Sequence, residues 1–252
     1  MKEVIIDWVK IPAGEFLVGL SDKQRRLLRK KLSHQGGGLW KLLPRNRSLL
    51  LAGQAAISHT RAQEKHYLDD FYISRYPITI EQYVTYQRHA GLVPKNTHIA
   101  WLDTGLGRLP AMVRDHEALQ FCKYYELRLP TSDEWEKAAR GVNGRLYPWG
   151  DRWDSTHGNV CQSLVRQLAM EHPLAHTLAM EVDRFPSGQS AYGVWDLVGN
   201  IQEFTNNYVI RRWPIKGDDQ LAWLFNVLAM EYPWDDGSWG YVGFRVVCDR
   251  PI

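Results

Sequence analysis

Apolar residues fall in short clusters along the chain, and their spacing predicts short elements separated by long polar stretches. Val4-Ile5-Ile6-Asp7-Trp8-Val9-Lys10-Ile11 is apolar and β-branched. Glu15-Phe16-Leu17-Val18-Gly19 repeats that character after Pro12-Ala13-Gly14, so residues 4–20 predict a two-stranded hairpin. Residues 67–73 alternate aromatic and aliphatic side chains and predict a further strand. Pro77 and Thr79 lead into helical spacing over residues 80–89, with Ile80, Tyr83, Val84 and Tyr86 on one side and Gly91 as the stop. Residues 92–109 show no period and predict a loop. A second helix, residues 115–125, should bury Ala118, Leu119, Phe121 and Cys122. Leu127-Arg128-Leu129 is a short extended piece that Pro130 ends. Thr131 with Glu134 three residues on then forms a capping box. Asp133 and Glu134 sit in the first turn of this third helix and Lys137 and Arg140 in its last, which matches the helix dipole, and Gly141 closes it. Residues 152–191 predict loops. His172 and His176 have a metal-binding spacing for a helix, but Pro173 between them argues against one.

Residues 21–65 interrupt this pattern. Ser21 caps a helix over residues 23–32 that carries Arg25, Arg26, Arg29, Lys30 and Lys31. Gly36-Gly37-Gly38 breaks it, and a second piece follows over residues 49–64. We read 21–65 as a basic helical insertion within a single domain of residues 1–252, because added length in a surface loop costs little. The net charge of the whole chain is only +3, and most of that excess lies here. The insertion is either a basic patch for an acidic or nucleic-acid partner, or a solvated helix face whose apolar side packs on the domain.

Composition narrows the picture further. Hydrophobic residues make up 44% of 252, enough for a sizeable core. The 11 Trp and 12 Tyr favour half-buried positions and binding surfaces. Cys122, Cys161 and Cys248 are too few and too scattered for a disulfide framework or a zinc site, and Cys122 reads as core. No apolar leader follows Met1-Lys2-Glu3 and no apolar run is long enough to span a bilayer, so the expectation is a cytoplasmic protein with no membrane contact.

Four motifs occur in a fixed order. They are Phe71-Tyr72-Ile73-Ser74-Arg75-Tyr76-Pro77-Ile78-Thr79; residues 128–141, RLPTSDEWEKAARG, followed by Tyr147-Pro148-Trp149-Gly150-Asp151; residues 192–205, YGVWDLVGNIQEFT; and Gly243-Phe244-Arg245-Val246-Val247. Together they resemble the formylglycine-generating enzyme, or sulfatase-modifying factor, family over the first twenty residues and most of 66–250. The resemblance implies an α+β, C-type-lectin-like fold with short strands, two main helices and extensive irregular loops.

The enzymes of that family oxidise a substrate cysteine with O₂ and hold Cu(I) between two cysteines a few residues apart, just before the Gly-Phe-Arg strand. Soft thiolates select Cu(I). Residues 205–241 contain no cysteine, so no copper is expected and the chain reads as a degenerate member. A sulfur-transferring branch of the family carries its iron on a separate helical domain, which nothing here resembles. A further branch uses the fold as a binding platform.

The expectation is therefore a non-catalytic ligand- or protein-binding domain whose face is the 205–242 segment, formed by Tyr208, Arg211, Trp213, Trp223, Tyr232, Trp234, Asp235, Trp239 and Tyr241. Its mix of aromatic, Ser, Gly and Asp residues is that of a paratope. The alternatives are an O₂-dependent thiol-modifying oxidase with a relocated Cys161–Cys248 pair, and an adaptor or effector subunit with a nucleic-acid-contacting insertion. The resemblance also implies a calcium site, with the side chains of Asp196 and Glu203 and the backbone carbonyls of Gly199 and Ile201 as ligands. Such an all-oxygen set suits a hard cation.

Overall fold

The computed structural model describes residues 4–34, 50–51, 53–55, 57–58, 60–159, 179–206, 209–212, 230–233 and 242–250. Strand β1 (Trp8–Ile11) runs antiparallel to β4 (Phe71–Ser74), and β2 (Gly14–Val18) runs antiparallel to β3 (Glu64–Leu68). Trp8 faces Ser74, Ile11 faces Phe71, Gly14 faces Leu68 and Val18 faces Glu64. Partner numbers fall one for one as strand numbers rise, across both pairs. The two pairs are thus one ribbon in a single register, interrupted at Pro12-Ala13 opposite Asp69-Asp70.

This corrects two expectations. Residues 4–20 do not fold back as a hairpin, and residues 67–73 form two strand pieces rather than one. Pro12 has no N–H to give a ladder, and Gly14 at φ 136° kinks the strand without reversing it.

A helix repairs the interruption. Helix α5 (Ser132–Arg140) lies against the ribbon with its capping box of Thr131 and Glu134 formed as the sequence predicts. Lys137 is buried and its Nζ donates to the carbonyls of Pro12 (2.8 Å) and Gly14 (3.1 Å), the oxygens the broken ladder would leave unpaired. Glu136 accepts from the Gly19 N–H at 2.7 Å and from Arg140. Arg140 donates onward to the carbonyls of Gly19, Gly144 and Arg145. The apolar residues between them, Trp135, Ala138 and Ala139, pack with Val9, Ile11, Phe71, Ile73 and Val247. Strand β9 (Val247–Cys248) pairs with the other edge of β4, giving the order β1-β4-β9.

The main core lies among α2 (Ile80–His89), α3 (Asn96–Asp103) and α4 (Asp115–Tyr124). Ile80, Tyr83, Val84 and Tyr86 are all buried, as their spacing predicts, and Thr79 with Gln82 caps α2 reciprocally. Leu119 is a correction: it is 41% exposed. The buried stripe of α4 is Ala118, Phe121 and Cys122, at the i, i+3, i+4 spacing, and Leu119 lies 100° around the helix from Ala118. Helix α3 falls in the stretch read as loop. Lys95 offers no capping side chain and His98 is the buried residue of α3, so the segment lacks both the stop-start signals and the stripe that announce a helix.

A second sheet has the order β7-β6-β5-β8, from β5 (Gln202–Thr205), β6 (Val209–Arg212), β7 (Met230–Pro233) and β8 (Val242–Gly243). Phe204, Val242, Phe244 and Val246 carry it onto the main core.

Helix α1 (Asp22–His34) occupies the basic segment. Ser21 and Gln24 cap it reciprocally. Leu28 and Leu32 pack with Leu20, Ile57, Leu146 and Tyr147. Among the described residues no helix is long and apolar enough to cross a membrane.

Candidate functional site

The segment 190–203 links the two sheets and carries the expected calcium ligands. Its path is fixed by Ser190, whose N–H donates to the Val194 carbonyl (2.8 Å), and by Trp195, whose N–H donates to the Arg75 carbonyl (2.9 Å). Val194 and Leu197 are buried against α5, which turns Asp196 inward between them. Asp196, Gly199 and Asn200 all have positive φ, at 56°, 79° and 63°. Glycine, Asn and Asp are the residues that tolerate that region, so the local sequence suits this tight path.

Glu203 sits at the start of β5 and is 1% exposed. Arg245 grips it in a fork, Nε to Oε2 at 2.6 Å and Nη2 to Oε1 at 2.7 Å. Trp135 Nε1 donates to the same Oε2 at 2.8 Å. The remaining Arg245 N–H groups go to the carbonyls of Ser74 (3.1 Å), Arg75 (3.3 Å) and Trp195 (3.0 Å). Every donor of a fully buried guanidinium is used, which is the condition for a buried charge pair to be tolerated. Arg245 was in view as part of a motif but not as a site residue. An arginine inside the apolar run Phe244-Arg245-Val246-Val247 is the signal that a buried acid must meet it.

Asp196 differs from Glu203. It is 7% exposed and its Oδ2 has no hydrogen-bond partner. Burial pushes its carboxyl up to about 8, against the opposing pull of Arg245, while Glu203 pushes the same way as burial. Nearby, Asn159 Oδ1 is also buried without a partner. Asn200 fastens the surrounding loop: its side chain accepts from Met180 N (2.8 Å) and Asn159 Nδ2 (3.3 Å) and donates to the Met180 carbonyl (3.0 Å). An orphaned carboxylate oxygen in an oxygen-rich turn fits a hard cation. Glu203 has already accepted three N–H groups, so of its roughly four lone-pair sites about one is left to offer. No three Asp, Glu, His or Cys side chains converge on a metal position among the described residues, so a cation here would draw on backbone carbonyls.

The expected binding face is only partly within the described residues. Arg211 lies in β6 opposite Glu231, and Tyr232 lies in β7 opposite Ile210. Tyr208, Trp213, Trp223, Trp234, Asp235, Trp239 and Tyr241 lie outside the described residues. The sheet does hold the chain on either side of them: segment 213–229 leaves β6 and returns on β7, and segment 234–241 leaves β7 and returns on β8.

Of the cysteines, Cys122 and Cys248 are free thiols. Burial pushes Cys122 up to about 12 and Cys248 up to about 11, the opposite of what a metal-binding thiolate needs. Cys161 lies outside the described residues, as do His172 and His176.

Two histidine sites were not foreseen. His66 on β3 shares a 2.6 Å contact from Nδ1 with Asp133 Oδ2 at the start of α5, and Arg61 holds the other oxygen of Asp133 at 2.8 Å. His98 on α3 is 2% exposed, with Nδ1 unpartnered.

Comparison with known proteins agrees with this architecture. The chain is 35% identical over 109 residues to "Inactive C-alpha-formylglycine-generating enzyme 2" of Mus musculus, covering 43% of this chain and 30% of that protein. It is 30% identical over 103 residues to "Formylglycine-generating enzyme" of Mus musculus, covering 37% of this chain and 25% of that protein. These matches thus span under a third of each relative. Among solved structures, CarF superposes with a TM-score of 0.56 at 19% identity, covering 99% of this chain and 100% of that one. The model of the sulfatase-modifying factor enzyme 1-like domain matches residues 2–250. The chain belongs to the formylglycine-generating enzyme, or sulfatase-modifying factor, family.

Proposed function

We propose that the chain is a non-catalytic ligand- or protein-binding domain on this scaffold, with its binding face in residues 205–242. One observation carries the reading. The stretch that would hold the family's copper pair, residues 205–241, has no cysteine and instead supplies Trp213, Trp223, Trp234, Trp239 and Tyr241 between strands of one sheet. Aromatic side chains give contact area at low entropic cost, and the described strands β6, β7 and β8 hold the chain on either side of these segments. Among the described residues, Cys122 and Cys248 also sit where burial disfavours the thiolate. The scattered cysteines and the absence of a disulfide framework in the sequence support a cytoplasmic location.

The test is a Cu(I) titration with oxygen uptake on a cysteine-containing peptide, run on the wild type, Cys161→Ala and Cys248→Ala. No stoichiometric copper and no uptake are expected. Turnover that either substitution abolishes would instead establish a thiol oxidase with a relocated pair. A second measurement addresses the face itself. Trp234→Ala and Tyr241→Ala should each shift Tm by no more than about 2 °C, the small effect of a surface change. A drop several times larger would put those rings in the core.

Calcium binding at Asp196, Gly199, Ile201 and Glu203 is part of the proposal. The buried, unpartnered Oδ2 of Asp196 supports it. EDTA should lower Tm, added Ca²⁺ should restore it, and Asp196→Ala should remove the response. Identical melting curves with and without chelator would leave Asp196 as a buried neutral acid.

A further inference from the structure

The basic segment is markedly one-sided. Residues 21–65 contain eleven Lys and Arg against two acids, while the rest of the chain has twenty against twenty-six. Helix α1 sorts its own charges by direction. Arg25 turns inward: its Nε donates to the Leu20 carbonyl (3.3 Å), and its Nη groups donate to the carbonyls of Ile57 (2.6 Å) and Thr60. It ties the helix to the returning chain and has no outward task. Lys23, Arg26 and Lys30 lie opposite Leu28 and Leu32, at the 3- and 4-residue spacing of one helix face, and are exposed. None of the three makes an ion pair or side-chain hydrogen bond among the described residues.

We propose that this face of α1 binds the phosphate backbone of a nucleic acid. The three charges span about 10 Å along the helix. A nucleic-acid strand presents a phosphate about every 3.4 Å of axis, so that length meets about three of them. A membrane surface fits less well, because a helix lying on lipid needs its apolar face outward, and here Leu28 and Leu32 are spent on the domain core. An acidic protein partner fits less well too. Interface cores are depleted in Lys, and within α1 the exposed apolar residue is Leu27, at 45%. The proposal is independent of the 205–242 face, so each can fail without the other.

The experiment is anisotropy with labelled short mixed-sequence oligonucleotides, a single-stranded RNA and a DNA duplex, across a salt series starting near 50 mM. Binding should weaken steeply with salt, since each phosphate neutralised releases a counterion. Joint Lys23→Gln, Arg26→Gln and Lys30→Gln should lower affinity at least about tenfold and make the log–log salt slope shallower by about two to three. Its melting temperature should stay at the wild-type value. Arg25→Ala should do the reverse, lowering Tm while leaving the salt slope in place. Which probe binds more tightly separates RNA from DNA. The proposal is overturned by no binding at the lowest salt, by binding that the triple substitution leaves unchanged, or by preferential capture of phosphatidylserine vesicles or polyglutamate.

Discussion

Arg245→Ala should be among the most damaging single substitutions in the described chain, lowering stability by about 3–5 kcal/mol. For a domain of this size that corresponds to a Tm loss of roughly 6–20 °C. The cost comes from what stays behind. Glu203, 1% exposed, would be left with the Trp135 N–H as its side-chain donor among the described residues, and the carbonyls of Ser74, Arg75 and Trp195 would lose the Arg245 donor. A truncated partner of a buried ion pair is expensive because the remaining ion is uncompensated, not because the pair is worth that much in itself. The distinction can be measured. Arg245→Met with Glu203→Gln removes both charges and should be clearly less destabilising than Arg245→Ala alone. Arg245→Lys should rescue little, since one ammonium cannot supply the fork to Glu203 and also reach the carbonyls around it. Urea unfolding of the four proteins decides the matter. A loss under about 1 kcal/mol for Arg245→Ala would mean Glu203 reaches water or another donor.

The second expected result is acid sensitivity written into α3. Burial pushes the His98 imidazole down to about 4, with Lys95 acting in the same direction and Glu117 against it. The rings of Tyr83 and Trp101 lie beside it, each with its centroid 5.9 Å away. In the unfolded chain the same group titrates near 6.5. Protons therefore bind the unfolded state more readily, and the sign follows. The stability that neutral His98 permits is fully present above pH 6.5 and is lost progressively as pH falls toward 4. The loss is about 2–3 kcal/mol. His98→Leu isolates it: relative to that variant, wild-type stability should fall by this amount between pH 7 and pH 4, with the two curves parallel above 7. Parallel curves over the whole range would show that the imidazole reaches solvent or a partner.

What could be read from sequence was whatever is decided within a few residues. The Thr131–Glu134 capping box, the buried side of α2 and the start of α1 at Ser21 all depend on spacing of three or four, and the structure forms each of them. The pairing of β1 with β4 was not legible, because sixty residues separate them and nothing near Trp8 specifies Phe71–Ser74 as the partner. Helix α3 was missed for the opposite reason, since tertiary contact at His98 holds a segment that has no cap and no stripe of its own. At the site, Asp196 and Glu203 were found by motif, but not the difference between them. Glu203 accepts three N–H groups from Arg245 and Trp135 while Asp196 Oδ2 is left unpartnered, and that depends on which distant side chains arrive. The basic run of α1 likewise looked uniform until the fold turned Arg25 in and left Lys23, Arg26 and Lys30 out.

The single register of the β1–β4 ribbon has a consequence for how this protein can change. Beyond β2 and before β3, Leu20 N–H donates to the Arg61 carbonyl and Gln63 N–H to the Leu20 carbonyl, each at 3.0 Å, so the chain leaves and re-enters the ribbon at adjoining points. The ends of everything between are already clamped together, and each doubling of a loop's length adds only about 0.6 kcal/mol of closure entropy. Residues 21–60 are in effect a cassette with a fixed socket. Lineages, or an engineer, can trade one such cassette for another without renegotiating the strand alignment, provided the newcomer still covers Leu146 and Tyr147 as Leu28 and Leu32 do now.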